Sequence, residues 1–173
     1  MFNSIHTACA AAVVLALAAP ATVLAAQDAG HAQSPGAAKQ GKYIERGRYL
    51  VRITGCNDCH TPGYAMKAGK VPEKDWLTGE QLGWRGPWGT TYAANLRLSM
   101  NAMGEEDWIK TAKTMQARPP MPWFALHDME KEDLRAIYRF VKHLGPAGKP
   151  APAWLPPGSV PAGPAIQFPM PPK

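Results

Sequence analysis

The stretch CNDCH, residues 56–60, restricts this chain more than any other feature. Two thiols stand three positions apart, and an imidazole follows the second directly. Covalent attachment of a haem uses this C-x-x-C-H pattern. A dithiol redox pair, part of a zinc site and a plain disulfide draw on the same residue types. A thioredoxin-like pair sits in a βαβ setting after a strand. Here KYIERGRYLVRITGC leads into Cys56, with Ile44, Gly47, Leu50, Val51 and Ile53 near helical spacing. A closed zinc site takes four ligands, normally as two separated pairs, and no second C-x-x-C exists. A disulfide would leave His60 without a role. Haem attachment is the reading that uses all three residues.

One helical turn brings positions i, i+3 and i+4 onto one face. Cys56 and Cys59 can therefore each add to one vinyl group along a porphyrin edge, while His60 turns toward the iron as proximal ligand. The other ring nitrogen of His60 needs an acceptor, usually a backbone carbonyl, and that of Pro72 is the candidate. The expected cofactor is one haem c, bound through Cys56 and Cys59.

Composition agrees. Between residues 42 and 146, Leu, Ile, Val and Phe number 17 of 105, too few for an ordinary core. Ten Trp and Tyr compensate in part, and a buried porphyrin would supply apolar surface. Residues 61–104 are rich in Gly, Pro and Trp and read as loop, a length unusual unless it is functional or wraps something.

Residues 8–26 form an uncharged Ala/Leu/Val run followed by polar QDAGHAQ, so 1–26 reads as a signal peptide. A membrane anchor is the competing reading, if the segment is not cleaved. Export would remove Cys9 and leave Cys56 and Cys59 as the only cysteines. Residues 27–41 read as a flexible leader, 42–146 as the haem domain, and 147–173 as an extended, polyproline-like tail holding nine of the eighteen prolines. GEEDWIKTAKTM predicts a helix with acids in its first turn, and HDMEKEDLRAIYRFVKHLGP predicts another, capped by Asp128 and closed by Gly145 and Pro146. The net charge of +6 comes from scattered lysines and arginines, which argues against nucleic acid. It suits either an ordinary soluble, moderately basic surface or steering toward redox partner proteins with acidic docking surfaces.

The second axial ligand is expected to be Met121, which RPPMPW holds in an extended loop between the last two helices. Met100 and Met103 are reserves, and His127 would give bis-histidine ligation. Met66 stands too near His60 to reach the opposite face, and Met115 belongs on the apolar side of its helix. Trp84, Trp88, Tyr92, Trp123 and Phe124 are candidates to pack on the haem, and Arg85 or Asn95 to bond a propionate.

Taken together, residues 42–146 resemble a class I c-type cytochrome: an opening helix into Cys56-Asn57-Asp58-Cys59-His60, an aromatic loop, a Pro-Met-Pro loop and a closing amphipathic helix. That resemblance implies an all-α fold of three to five helices wrapped around one covalently bound haem, with long loops and Gly47 crossing Tyr138. More narrowly, ERGRYLV, YAAN, EEDWIKTAKT, RPPMPW and EDLRAIYRFVKHL resemble the haem domains of cytochrome subunits serving periplasmic alcohol-type dehydrogenases. Those subunits usually carry three such domains, and after the Asn they have Thr-Pro-Asp where this chain has Arg97-Leu98-Ser99. The resemblance implies a periplasmic bacterial electron carrier with His60/Met121-ligated iron, and not an enzyme. The alternatives are a haem c enzyme or sensor with a labile sixth ligand, and a fixed electron-transfer subunit of a dehydrogenase complex.

Overall fold

In the computed structural model, which describes residues 35–169, α1 runs Pro35–Ile53. The signal segment and residues 27–34 of the expected leader lie outside the described residues. Residues 35–41 were also expected as leader, and they are helical. Their glycines would break an isolated helix, but tertiary anchors override that preference. Arg139 donates to Gln40 at 2.8 Å and its guanidinium lies 4.6 Å from the Tyr43 ring centroid, while Tyr43 donates to Glu132 at 2.9 Å.

Six helices stand among the described residues where three to five were expected. After α1 come α2 Cys56–His60, α3 Leu96–Ser99, α4 Glu105–Thr114, α5 Phe124–Asp128 and α6 Lys131–Leu144. The surplus consists of one-turn pieces, α2, α3 and α5. The periodic segments became α1, α4 and α6. Asp128 ends α5 and does not cap α6, whose N-cap is Glu130 with no side-chain capping bond.

Helices α1 and α6 cross at Gly47, where the atoms nearest a built Cβ belong to Ala136 and Phe140, on either side of Tyr138 in α6. The buried residues Leu50, Val51, Ile137, Phe140 and Val141 pack there. Trp108 of α4 donates its indole N–H to the Leu134 carbonyl of α6 at 2.9 Å. Arg97 is buried and takes carbonyls from two segments. It donates to the Lys74 carbonyl at 3.0 Å and to the carbonyls of Leu144, which ends α6, and of its C-cap Gly145, which complements that helix terminus.

Glu105 of α4 accepts from Arg135 at 2.6 Å and Arg139 at 2.9 Å on α6. Burial works against its ionisation, but the bonds from Arg139 and Arg135 outweigh burial and hold its carboxyl below the ordinary 4.5. A depressed carboxylate stabilises the fold above its unfolded pKa and loses that contribution as pH falls through the folded one. At neutral pH Glu105→Gln is expected to cost about 1–2 kcal/mol in denaturant unfolding. The cost should shrink as pH falls below 4.5 and through the folded pKa, where acid protonates the wild-type group. An equal cost at neutral and acid pH would contradict this account.

The loop expected over 61–104 contains a short hairpin, β1 Gly83–Gly86 and β2 Gly89–Thr91. The Pro-rich tail returns to it. Its strand β3, Ala165–Gln167, pairs parallel with β1 and gives a sheet of order β2-β1-β3. The tail is thus extended, but it is bound along one edge of the domain.

Candidate functional site

Gly55, with φ 73°, turns the chain sharply out of α1, so that α2 sets off in a new direction. The His60 carbonyl accepts from Gly79 N–H at 2.8 Å, and Thr61 Oγ1 accepts from Leu77 N–H at 2.8 Å while donating to Asn57 at 2.7 Å. These bonds pin α2 to the loop beneath it. Cys56, Cys59 and His60 then face one cavity of about 480 Å³. Leu77, Leu96, Met100, Ile137 and Leu126 line it, as do residues 116–118 and 120–122.

His60 is buried, and its Nδ1 lies 2.7 Å from the Ala94 carbonyl. A carbonyl only accepts, so Nδ1 carries the proton and Nε2 keeps its lone pair for a metal. The acceptor is therefore Ala94, not Pro72. Burial lowers the imidazole pKa, and the Ala94 bond opposes this only in part, so the ring is neutral as ligation requires. Neither thiol is in a disulfide. Burial pushes both thiols up; a bond from Thr54 opposes this at Cys56, and Asp58 adds to it at Cys59.

A haem demands three things of such a cavity: two thiols and an imidazole on one wall, apolar sides, and donors for its carboxylates. The last requirement is the most discriminating. Trp84 Nε1 and Thr91 Oγ1 both belong to cavity-lining residues, are buried and have no protein partner. Orphaned buried donors are costly unless something accepts from them, and propionates would. The residues fit the group.

Comparison with protein families matches residues 44–145 to the model described as Cytochrome c. This chain belongs to the cytochrome c family. It has the mainly helical class I fold and takes one haem c through Cys56 and Cys59, with His60 beside them. It is a haem-binding electron-transfer protein. No curated protein and no solved structure gave a match.

In this cytochrome c the other sequence candidates divide. Met121, Trp84 and Tyr92 line the cavity, as do the reserves Met100 and Met103. Trp88, Trp123 and Phe124 do not. Trp88 donates to the Trp84 carbonyl at 3.3 Å and packs on Phe168, and Trp123 lies against His127, ring centroids 5.0 Å apart. Phe124 is exposed. Arg85 is not in the lining, and the Asn95 amide is taken by the Ala147 and Lys149 carbonyls at 2.8 and 3.0 Å. His127 also stands outside the lining, with Nε2 3.0 Å from the Met115 carbonyl. Sequence reasoning passed over Ala94, Thr91 and Trp154. A backbone acceptor leaves no mark in sequence. A lone tryptophan in a Pro-rich tail does leave one, because large aromatics seldom go without a surface to cover.

Proposed function

We propose that this cytochrome c is a periplasmic one-electron carrier of bacterial respiration, in which Met121 would join His60 as the sixth ligand of the haem iron. The observation that carries this reading is that Pro120, Met121 and Pro122 all line the cavity that His60 lines, while His127 does not. Met100 is almost wholly buried among the core residues, so its thioether already has packing partners. When bound, the haem supplies an iron that alternates between ferric and ferrous states. The Ala94 carbonyl fixes the His60 ring, Trp84 and Thr91 offer donors to the propionates, and the apolar walls exclude water, which sets the dielectric. A thioether at the sixth position raises the potential relative to stronger donors and leaves no place for a substrate.

The donor is proposed to be a dehydrogenase of the alcohol-type class, through the narrower resemblance of residues 45–51, 92–95 and 105–114. Export follows from the apolar segment before residue 27. A net charge of +6 would steer the protein to acidic partner surfaces at a rate that falls with salt.

Visible spectra of the oxidised and reduced holoprotein test the ligation. The ferric methionine–iron charge-transfer band, with no response of the reduced protein to carbon monoxide, is expected. Met121→Ala should abolish the band, lower the reduction potential and admit carbon monoxide. An unchanged spectrum and potential in that variant would remove Met121 from the iron, and rapid gas binding by the native protein would favour a catalytic or sensing role.

A further inference from the structure

The family match ends at residue 145, yet one residue lining the cavity comes from beyond it. Trp154 lies in the Pro-rich tail and lines the cavity beside Arg118, Pro120 and Met121. Its indole N–H donates to the Trp88 carbonyl at 2.9 Å, in the turn between β1 and β2. The next residue, Leu155, exchanges two backbone bonds with Thr90 of β2, at 2.9 and 3.0 Å. The approach is close enough that a Cβ at position 89 would overlap the Leu155 carbonyl oxygen and come within 2.9 Å of the Trp154 indole nitrogen. On its other side the indole carries the Arg118 guanidinium, 4.0 Å from the ring centroid. Arg118 belongs to the methionine loop, and its carbonyl accepts from the Met121 amide at 3.3 Å. A continuous chain of contacts therefore runs from the hairpin, through Trp154 and Arg118, to the backbone of Met121.

We infer that Trp154 is a positioning residue: it clasps the methionine loop to the hairpin and holds the Met121 thioether in place at the iron. The inference rests on the reading of Met121 as sixth ligand. A ligand that must displace the thioether binds only when the loop has swung out, so its apparent affinity is scaled down by the open fraction. Each contact that favours the closed loop lowers that fraction. Stacked cations and hydrogen bonds are of the size that shifts such an equilibrium measurably. Trp154 touches neither the iron nor a ligand atom in this account. It acts through Arg118.

The test is titration of the oxidised full-length holoprotein with imidazole, followed by loss of the methionine–iron band. Trp154→Ala is expected to tighten apparent imidazole binding about tenfold. Arg118→Gln should do about the same, and the double variant little more, because both remove one contact chain. Trp154→Phe keeps a stacking face without the indole donor and should fall between. Arg118→Gln alters an exposed side chain and leaves the tail's own bonds intact, so it serves even if Trp154→Ala fails to fold. A wild-type band with unchanged imidazole affinity in the variants would overturn the clasp alone, even if their thermal stability fell. Fully additive effects of the two changes would do the same. A wild-type protein without the band would overturn the Met121 reading and the clasp with it.

Discussion

A chain in which both Cys56 and Cys59 are replaced by serine is expected to carry no covalent haem and to lose its cooperative fold. The two thioethers are what tether the cofactor in the cavity, and without them only non-covalent ligation, by His60 and the proposed Met121, would have to retain it. Without a haem the cavity walls have nothing to pack against. A largely apolar cavity of about 480 Å³ would be left to water, forgoing burial worth about 25 cal/mol per Å² of its walls, against a typical domain stability of only about 5–15 kcal/mol. The donors on Trp84 and Thr91 would also be left without an acceptor or exposed to water. Helices α1 and α6 can still pair, so far-UV helicity should fall without vanishing while near-UV signals and the unfolding transition disappear. The check is haem staining on a denaturing gel together with circular dichroism. Native-like near-UV dichroism and a sharp unfolding transition in the serine variant would mean that the chain closes its own core.

The second large effect is expected at Gly47, where Gly47→Val should destabilise the holoprotein by about 3 kcal/mol or more. A Cβ there would overlap the Ala136 carbonyl oxygen and come within 2.7 Å of the Phe140 Cβ. No rotamer relieves a clash between a Cβ and a backbone oxygen, so α1 and α6 must separate and unpack Val51, Ile137, Phe140 and Val141. Gly41, in the same helix, provides an internal control. Nothing lies within 4 Å of a Cβ built there, so Gly41→Ala should stabilise by up to about 1 kcal/mol through helix propensity alone. Denaturant unfolding of the two variants should therefore move in opposite directions. A neutral Gly47→Val would show that the helix crossing has slack that this geometry lacks.

Much of the site was legible because its chemistry is local. Cys56, Cys59 and His60 fall within one helical turn, so the spacing alone specifies a thiol pair and an imidazole on one face. The prolines around Met121 excluded a helix there, although the segment is not simply extended: residues 119 and 120 form a turn, closed by the Met121 N–H on the Arg118 carbonyl at 3.3 Å. Helices α4 and α6 were readable from first-turn acids and from apolar residues at helical spacing, and α1 from the pattern leading into Cys56. The shortage of aliphatic residues pointed to a cofactor in the core, where the structure has its cavity.

What the linear chain did not reveal depends on segments distant in sequence. Ala94 was not identifiable as the His60 acceptor, since every residue carries a carbonyl and only the path of the loop selects one. Residues 35–41 looked like a leader because their glycines weaken a helix, and contacts from α6 outweigh that weakness. Trp88 and Trp123 looked like haem-packing residues by composition, but the hairpin and α5 turn them toward Phe168 and His127. The tail read as extended, which it is; that Trp154 reaches the cavity and meets Arg118 across 36 residues of sequence follows from β3 and Leu155 being held along the hairpin. Local chemistry is written in residue type and spacing. Which carbonyl, which glycine and which distant aromatic complete the site is decided only when the chain closes on itself, because those choices rest on shape and backbone position and not on residue identity.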